Sequence, residues 1–207
     1  MTDMPCVILG GGAARRMGGL LKGLEPLGGR PILDHVIERM APQAGPLGLN
    51  ANADPALLHA YGLPVFGDGD HFDKGPLAGV LAAMTWAKTL GAEAVVTVAW
   101  DTPFLPRDLI GRLTSARDAQ AKAIAMAASR DAKGQLWEHP TAALWPVSLE
   151  DDLQKALTDG VRKVSDWARG NGLALVEYAA RAPDPFFNIN TAADLAHAEE
   201  LLTRGSA

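Results

Sequence analysis

The segment that most constrains this chain lies near its start. The apolar run Pro5–Leu9 stops at Gly10-Gly11-Gly12, and Arg15, Arg16 and Lys22 follow. A short apolar run ending in glycines reads as a buried strand that empties into a loop. Glycine lets backbone N–H groups come close to a bound anion with no Cβ in the way. The two arginines and the lysine then supply counter-charge for a polyphosphate. A flexible turn with solvated arginines is the bland alternative, and it leaves the triple glycine directly after a strand without a purpose. Two common phosphate loops do not fit. A P-loop needs Ser or Thr after its lysine, and Lys22 is followed by Gly23; the dinucleotide fingerprint needs a glycine where Arg15 stands.

Downstream, Pro31–Met40 has helical spacing, as do Pro76–Leu90, Arg107–Arg117, Ser148–Leu157, Val161–Ala168 and Ala192–Leu202; Asp54–Tyr61 reads as a short helix. Leu47–Asn50, Pro64–Phe66, Ala94–Ala99, Ala123–Ala128, Ala142–Trp145 and Leu173–Tyr178 read as strands. Strands alternating with helices predict an α/β fold, a three-layer sandwich around a mainly parallel, Rossmann-like sheet. No repeat or long linker divides the chain, so residues 1–207 are expected to form one domain. With 48% hydrophobic and 21% charged residues, disorder is excluded. A net charge of −5 argues against bulk nucleic-acid or anionic-membrane binding, and no run approaches the ~20 apolar residues of a membrane span. The single cysteine, Cys6, allows no internal disulfide or cysteine zinc cluster and suits a reducing, cytoplasmic setting.

Further residues carry chemistry. Asp101 follows the β-branched run Ala94–Ala99, where ligands of open α/β sheets bind. A carboxylate there repels a triphosphate unless a divalent cation lies between them, and Mg²⁺ takes one or two carboxylates plus substrate phosphates. Asp101 is therefore the expected Mg²⁺ ligand, with a helix N-cap before Pro103 as the competing reading. Asn50 and Asn52 follow a strand, and their amides suit a base edge or ribose. Asp68 follows Val65-Phe66-Gly67, with Asp70 and Asp73 as competing acids. In Phe187-Asn188-Ile189-Asn190-Thr191 the two amides at i and i+2 project to one side, and Thr191 is placed to cap the last helix.

The string Leu9-Gly10-Gly11 … Arg16-Met17-Gly18 … Lys22-Gly23, together with Asp101-Thr102-Pro103-Phe104, resembles the nucleotidyltransferases that use a nucleoside triphosphate and release pyrophosphate. Asn50-Ala51-Asn52, Gly75-Pro76-Leu77-Ala78-Gly79, His139-Pro140-Thr141 and Asn188-Ile189-Asn190-Thr191 make the chain similar to the molybdenum cofactor guanylyltransferase branch, from Leu9 to about Leu195. The resemblance implies that Leu9, Gly10, Gly11, Arg16 and Lys22 surround the GTP triphosphate and that Asp101 holds the catalytic metal. It implies that Asn50, Asp68, Gly75 and Pro76 receive the nucleotide, and that Asn188 and Asn190 face the acceptor. It also places His139 and the basic segment Gly160–Val164 near the second substrate, molybdopterin. A molybdenum-insertion protein and the chaperones of recipient molybdoenzymes are the protein partners it suggests. Two positions depart from the pattern: Leu21 stands where an acidic residue usually precedes the lysine, and Trp100 where cysteine often precedes the aspartate.

The implied reaction is in-line attack of the molybdopterin phosphate on the α-phosphorus of GTP, with Arg16, Lys22 and Asp101 catalytic and no general base required. Other readings remain open at this stage: a cytidylyl-type cofactor transferase, a sugar- or polyol-phosphate cytidylyltransferase, or a nucleotide-binding cofactor chaperone weakened by Leu21.

Overall fold

Strand β1 (Cys6–Leu9) forms where the apolar run predicts it, with all four residues buried. The computed structural model describes residues 3–10, 21–72, 74–131, 133–179 and 182–205. Gly11, Gly12, Arg15, Arg16 and Asp73 lie outside the described residues. After Lys22, a tight hairpin joins β2 (Pro26–Leu27) to β3 (Arg30–Pro31). Its turn residues Gly28 and Gly29 have φ of 60° and 78°, the paired left-handed conformation of a two-residue hairpin. Helix α1 (Ile32–Met40) buries Ile32, Leu33, Val36 and Met40 on one stripe. Then come β4 (Leu47–Asn50), a short 3-10 helix Pro55–Tyr61 and β5 (Val65–Phe66). Helix α2 (Pro76–Thr89) leads to β6 (Ala94–Ala99) and α3 (Leu109–Ala119). Strands β7 (Ile124–Arg130) and β8 (Leu136–Pro146) follow, then α4 (Glu150–Thr158), α5 (Val164–Gly170), β9 (Leu173–Tyr178) and α6 (Ala192–Gly205).

The sheet runs β5-β4-β1-β6-β8-β7-β9, seven strands in all. All its neighbouring pairs are parallel except β6–β8 and β8–β7. One core cluster, containing Val36, Leu105 and Leu113, packs α1 and α3 on one face. A second, containing Leu77, Met84, Leu153 and Trp167, packs α2, α4 and α5 on the other. This is the expected three-layer α/β architecture with a mainly parallel sheet. A third cluster joins Leu27, Ile32, Phe104, Ile189 and Ala198, seating α6 against the hairpin.

Two stretches differ from the sequence reading. Val161–Lys163 are not helical, and α5 begins at Val164. The region before Ala142 is strand rather than loop, because β8 starts at Leu136. Its register against β7 jumps from Ala143↔Met126 to His139↔Ala127, leaving Pro140, Thr141 and Ala142 as an unpaired bulge. Proline has no N–H to give a ladder, so it sits in a strand only at such a place. The fully buried Thr97 hydroxyl anchors the bulge: it donates to the Thr141 carbonyl at 2.8 Å and accepts from Trp145 Nε1 at 2.8 Å. A β8 running opposite to β6 carries its first residues, Leu136–Pro140, beyond the carboxyl end of β6.

Candidate active site

Four parallel strands end in one register row. Phe66 of β5 pairs with Asn50, Asn50 with Leu9, and Leu9 with Ala99 of β6. The chain crosses from β1 to β4 on one side and later to β6 on the other, so β1 is the switch point outside which ligands bind. Just past these ends come Asp68, Asn52, Gly10 and Asp101. At about 4.8 Å between strands, the row spans roughly 14 Å.

At the β6 end, Lys22 Nζ donates to Asp101 Oδ2 at 2.5 Å and to Asn190 Oδ1 at 2.7 Å. The Lys22 and Asp101 side chains are only 17% and 14% exposed, so water screens the pair weakly. An ammonium has three donors. Asp101 and Asn190 take two of them among the described residues, and a phosphate oxygen can take the third. Thr102 Oγ1 donates to Asn188 Oδ1 at 2.5 Å, and Ile189 N donates to the Asp101 carbonyl at 3.0 Å. These bonds pull the Asn188–Asn190 segment, 87 to 89 positions downstream, onto the aspartate. Asp194 completes the support. Its carboxylate accepts from the backbone N–H of Asn190 at 2.9 Å and of Thr191 at 2.8 Å, while Asp194 N donates to Thr191 Oγ1 at 3.1 Å. This is a reciprocal helix cap, as expected for Thr191. The bonded Asn190 N–H holds the Asp194 carboxyl below its usual range, with Thr191 and the Lys22 charge adding to the effect.

At the β4–β5 end, Asp68 is the acid selected over Asp70. Its Oδ1 accepts from Asn50 Nδ2 at 2.9 Å and its Oδ2 from Asn52 Nδ2 at 2.6 Å. Asn52 Oδ1 in turn accepts from Asp68 N at 2.8 Å, so Asn52 grips both the side chain and the backbone of the aspartate. Asn50 is 1% exposed, and its Oδ1 has no hydrogen-bond partner among the described residues. That oxygen lies against α2: a Cβ on Gly79 would stand 2.7 Å from it and 3.3 Å from Leu9 Cδ2. Gly79 therefore allows α2, which starts at Pro76, to press on the ends of β1 and β4. Gly75 precedes it with φ 78°, a conformation natural to glycine.

Leu9 and Gly10 have structural duties. The Leu9 carbonyl accepts from Trp100 N at 3.1 Å, and Gly10 N donates to the Asn50 carbonyl at 2.6 Å. The Gly10 amide is thus spent on the sheet. Leu21 is 8% exposed and packs in the core cluster that includes Trp100. The residue before Lys22 is therefore a core anchor, and Asp101 and Asn190 orient the lysine.

On the far side, His139 Nε2 lies 2.8 Å from Ser129 Oγ, and its ring stacks on Phe186 with centroids 4.1 Å apart. Burial pushes its pKa down to about 4, against the pull of Asp184, so His139 is neutral at pH 7 and does not supply phosphate charge. It steadies Phe186, two residues before Asn188. Arg162 and Lys163 are exposed just ahead of α5, and no hydrogen bond or ion pair among the described residues joins them to the Asp101 centre.

Sequence reasoning left Asn52 uncommitted and did not single out Thr102 or Asp194 as site residues. The Thr-x-x-Asp spacing at Thr191–Asp194 is a readable capping signal. Asn52 and Thr102 had no signal beyond their place beside a chosen residue.

Comparison with known proteins identifies the family. Residues 6–176 match the MobA-like NTP transferase domain family. A molybdenum cofactor guanylyltransferase of Bradyrhizobium sp. (strain ORS 278) is 47% identical over 203 residues, covering 97% of this chain and 93% of its own. Another, from Acidiphilium cryptum (strain JF-5), is 46% identical over 199 residues, covering 96% and 95%. The crystal structure of molybdopterin-guanine dinucleotide biosynthesis protein A from Archaeoglobus fulgidus aligns with TM-score 0.75 at 25% identity, covering 97% of this chain and 100% of that one.

Proposed function

Because the chain belongs to the MobA-like NTP transferase domain family, we propose that its crevice transfers GMP from GTP to the phosphate of molybdopterin, releasing pyrophosphate and forming the guanine dinucleotide cofactor. The observation that carries this reading is the single register row. It sets an Asn50–Asp68–Asn52 cluster at one end and a Lys22–Asp101–Asn190 cluster at the other.

In the transfer, a phosphate oxygen of molybdopterin forms a bond to the α-phosphorus, and the bond from that phosphorus to the β-phosphate bridge breaks. The nucleophile is already an anion at pH 7, so the protein's task is positioning and charge stabilisation. Lys22 meets the charge that develops at the α-phosphate, and the family resemblance assigns Arg16 and Gly11 to the same task. Asp68 keeps lone pairs beyond its two asparagine bonds to accept guanine N1–H and N2–H₂. Asn50 fixes that carboxylate from inside the sheet, while Gly75 and Pro76 border the nucleotide. Asn188 and Asn190 line the acceptor side.

Asp101 fits Mg²⁺ by its donor chemistry. It is a hard oxygen ligand at the crevice, and no group of three or more His, Cys, Asp or Glu side chains is gathered among the described residues to complete a shell alone. Such a site binds the ion together with substrate phosphates. Mg²⁺ on Asp101 supplies Lewis-acid stabilisation of phosphate charge. A cytoplasmic setting suits the lone buried thiol of Cys6. Handover of product to a molybdenum-insertion protein or a recipient-enzyme chaperone belongs to the same reading.

The test is pyrophosphate release by purified protein given molybdopterin with GTP, CTP or ATP. Release with GTP that requires the acceptor is the expected result. Equal or faster release with CTP overturns the guanylyl assignment, and no release with any nucleotide overturns the enzyme reading.

A further inference from the structure

Trp100 is 3% exposed and precedes Asp101. The benzo edge of its indole fits between two glycines. A Cβ on Gly10 would fall 2.7 Å from Trp100 Cε3 and Cζ3; a Cβ on Gly23 would fall 2.7 Å from the same Cε3 and 2.8 Å from Cδ2. Neither glycine is in the left-handed region, so backbone conformation does not demand glycine at either place. Space for the indole does. The ring thus touches the exit of β1 and the turn that carries Lys22, and its own backbone carries Asp101.

From this packing we infer that Trp100 is a positioning residue for the transfer step: its indole is the spacer that sets Lys22 against Asp101. The inference rests on the reading of Lys22 and Asp101 as the transfer centre. Close packing makes such a spacer stiff, because interiors resist changes of even one methylene. A displacement of about 1 Å at a reacting group costs on the order of 100-fold in rate.

The experiment is a steric rescue, read as kcat and as KM for GTP in the full-length protein. Gly23→Ala forces a methyl against the ring and is expected to lower kcat about 100-fold, with KM for GTP moving less than about threefold, since Asn50 and Asp68 are untouched. Trp100→Leu alone is expected to lower kcat about 10-fold. Combining Trp100→Leu with Gly23→Ala makes room for the methyl and is expected to regain at least about 10-fold over Gly23→Ala. A purely structural role predicts instead that the two losses add and that the melting temperature falls in step with kcat.

The inference is overturned if folded Gly23→Ala keeps wild-type kcat, or if the double variant is no better than Gly23→Ala. Trp100→Phe with Gly23→Ala repeats the comparison with a smaller ring. Failure of both double variants to fold while the single variants fold also counts against it, because removing a clash should relieve the packing. Lys22→Ala and Asp101→Ala tell the two levels apart. Wild-type rates in those variants overturn the transfer centre itself. Inactive Lys22→Ala and Asp101→Ala beside unaffected Gly23→Ala and Trp100→Leu overturn only the role of Trp100.

Discussion

On the side proposed for the nucleotide, Asn50, Asp68 and Asp101 stand at or just past the carboxyl ends of parallel strands whose register lines them up. On the side proposed for the acceptor, His139, Phe186, Asn188 and Asn190 come from a bulged antiparallel arm and from a stretch without regular structure. The first side owes its order to the sheet: any parallel βα unit leaves its strand end facing the crevice. The second owes its order to side chains, through the His139–Phe186 stack and the Thr102–Asn188, Lys22–Asn190 and Asp194–Asn190 bonds. A backbone-built half can hold one nucleotide in a fixed pose. A half built from side chains can be reshaped for a different acceptor without disturbing the sheet.

The comparison can be broken most forcefully at the seam. Lys22→Ala and Asp101→Ala should each lower kcat by about 10²- to 10⁴-fold while circular dichroism and melting temperature show a retained fold. Near wild-type turnover in either would remove the seam as the reacting centre. Asp68→Ala should lower kcat/KM for GTP by about 10- to 100-fold and shrink the preference for GTP over CTP. Asn52→Ala should move both in the same direction by less, and steady-state kinetics with both nucleotides reads the pair. Asn190→Ala should raise KM for molybdopterin about 5- to 10-fold with little change for GTP, keeping the two sides kinetically separate. An equal rise for GTP would merge them.

The smallest effect concerns pH. His139 has its folded pKa lowered to about 4 from a reference of 6.5 by burial. Between these values the unfolded chain binds more protons than the folded one, so stability falls as pH drops from 6.5 toward 4 and levels off below. The change is on the order of 3 kcal/mol. His139→Gln should flatten that part of the curve in denaturant titrations. An unchanged slope would show that other groups carry it.

The same contrast explains what was legible. Ala94–Ala99 and Leu173–Tyr178 are strands with the expected limits, because continuous apolar runs between turn residues leave few alternatives. Asp101, Asn50 and Asp68 were readable because strand ends are where a parallel sheet puts its ligand. Leu136–Thr141 was not read as strand because Glu138, His139 and Pro140 break its apolar pattern, and the bulge that accommodates proline depends on Thr97 in another strand. The β2–β3 hairpin was missed for a different reason. Two residues per strand give no period to detect, although Gly28-Gly29 is itself a hairpin signal. The depth of Leu21 in the core was likewise invisible, since burial of one position beside a charged residue is settled by tertiary packing.

The last helix acts as a clasp between distant parts of the chain. Through Asp194 it fastens the asparagine that touches Lys22, and through Glu199 Oε1 it accepts from Gly28 N of the hairpin at 2.7 Å. Cutting after Phe187 would spare every strand of the large sheet and the whole of residues 6–176, yet would take from the lysine one of the two companions it has among the described residues and unfasten the hairpin that follows it. A preparation clipped there would keep its sheet and lose its trade.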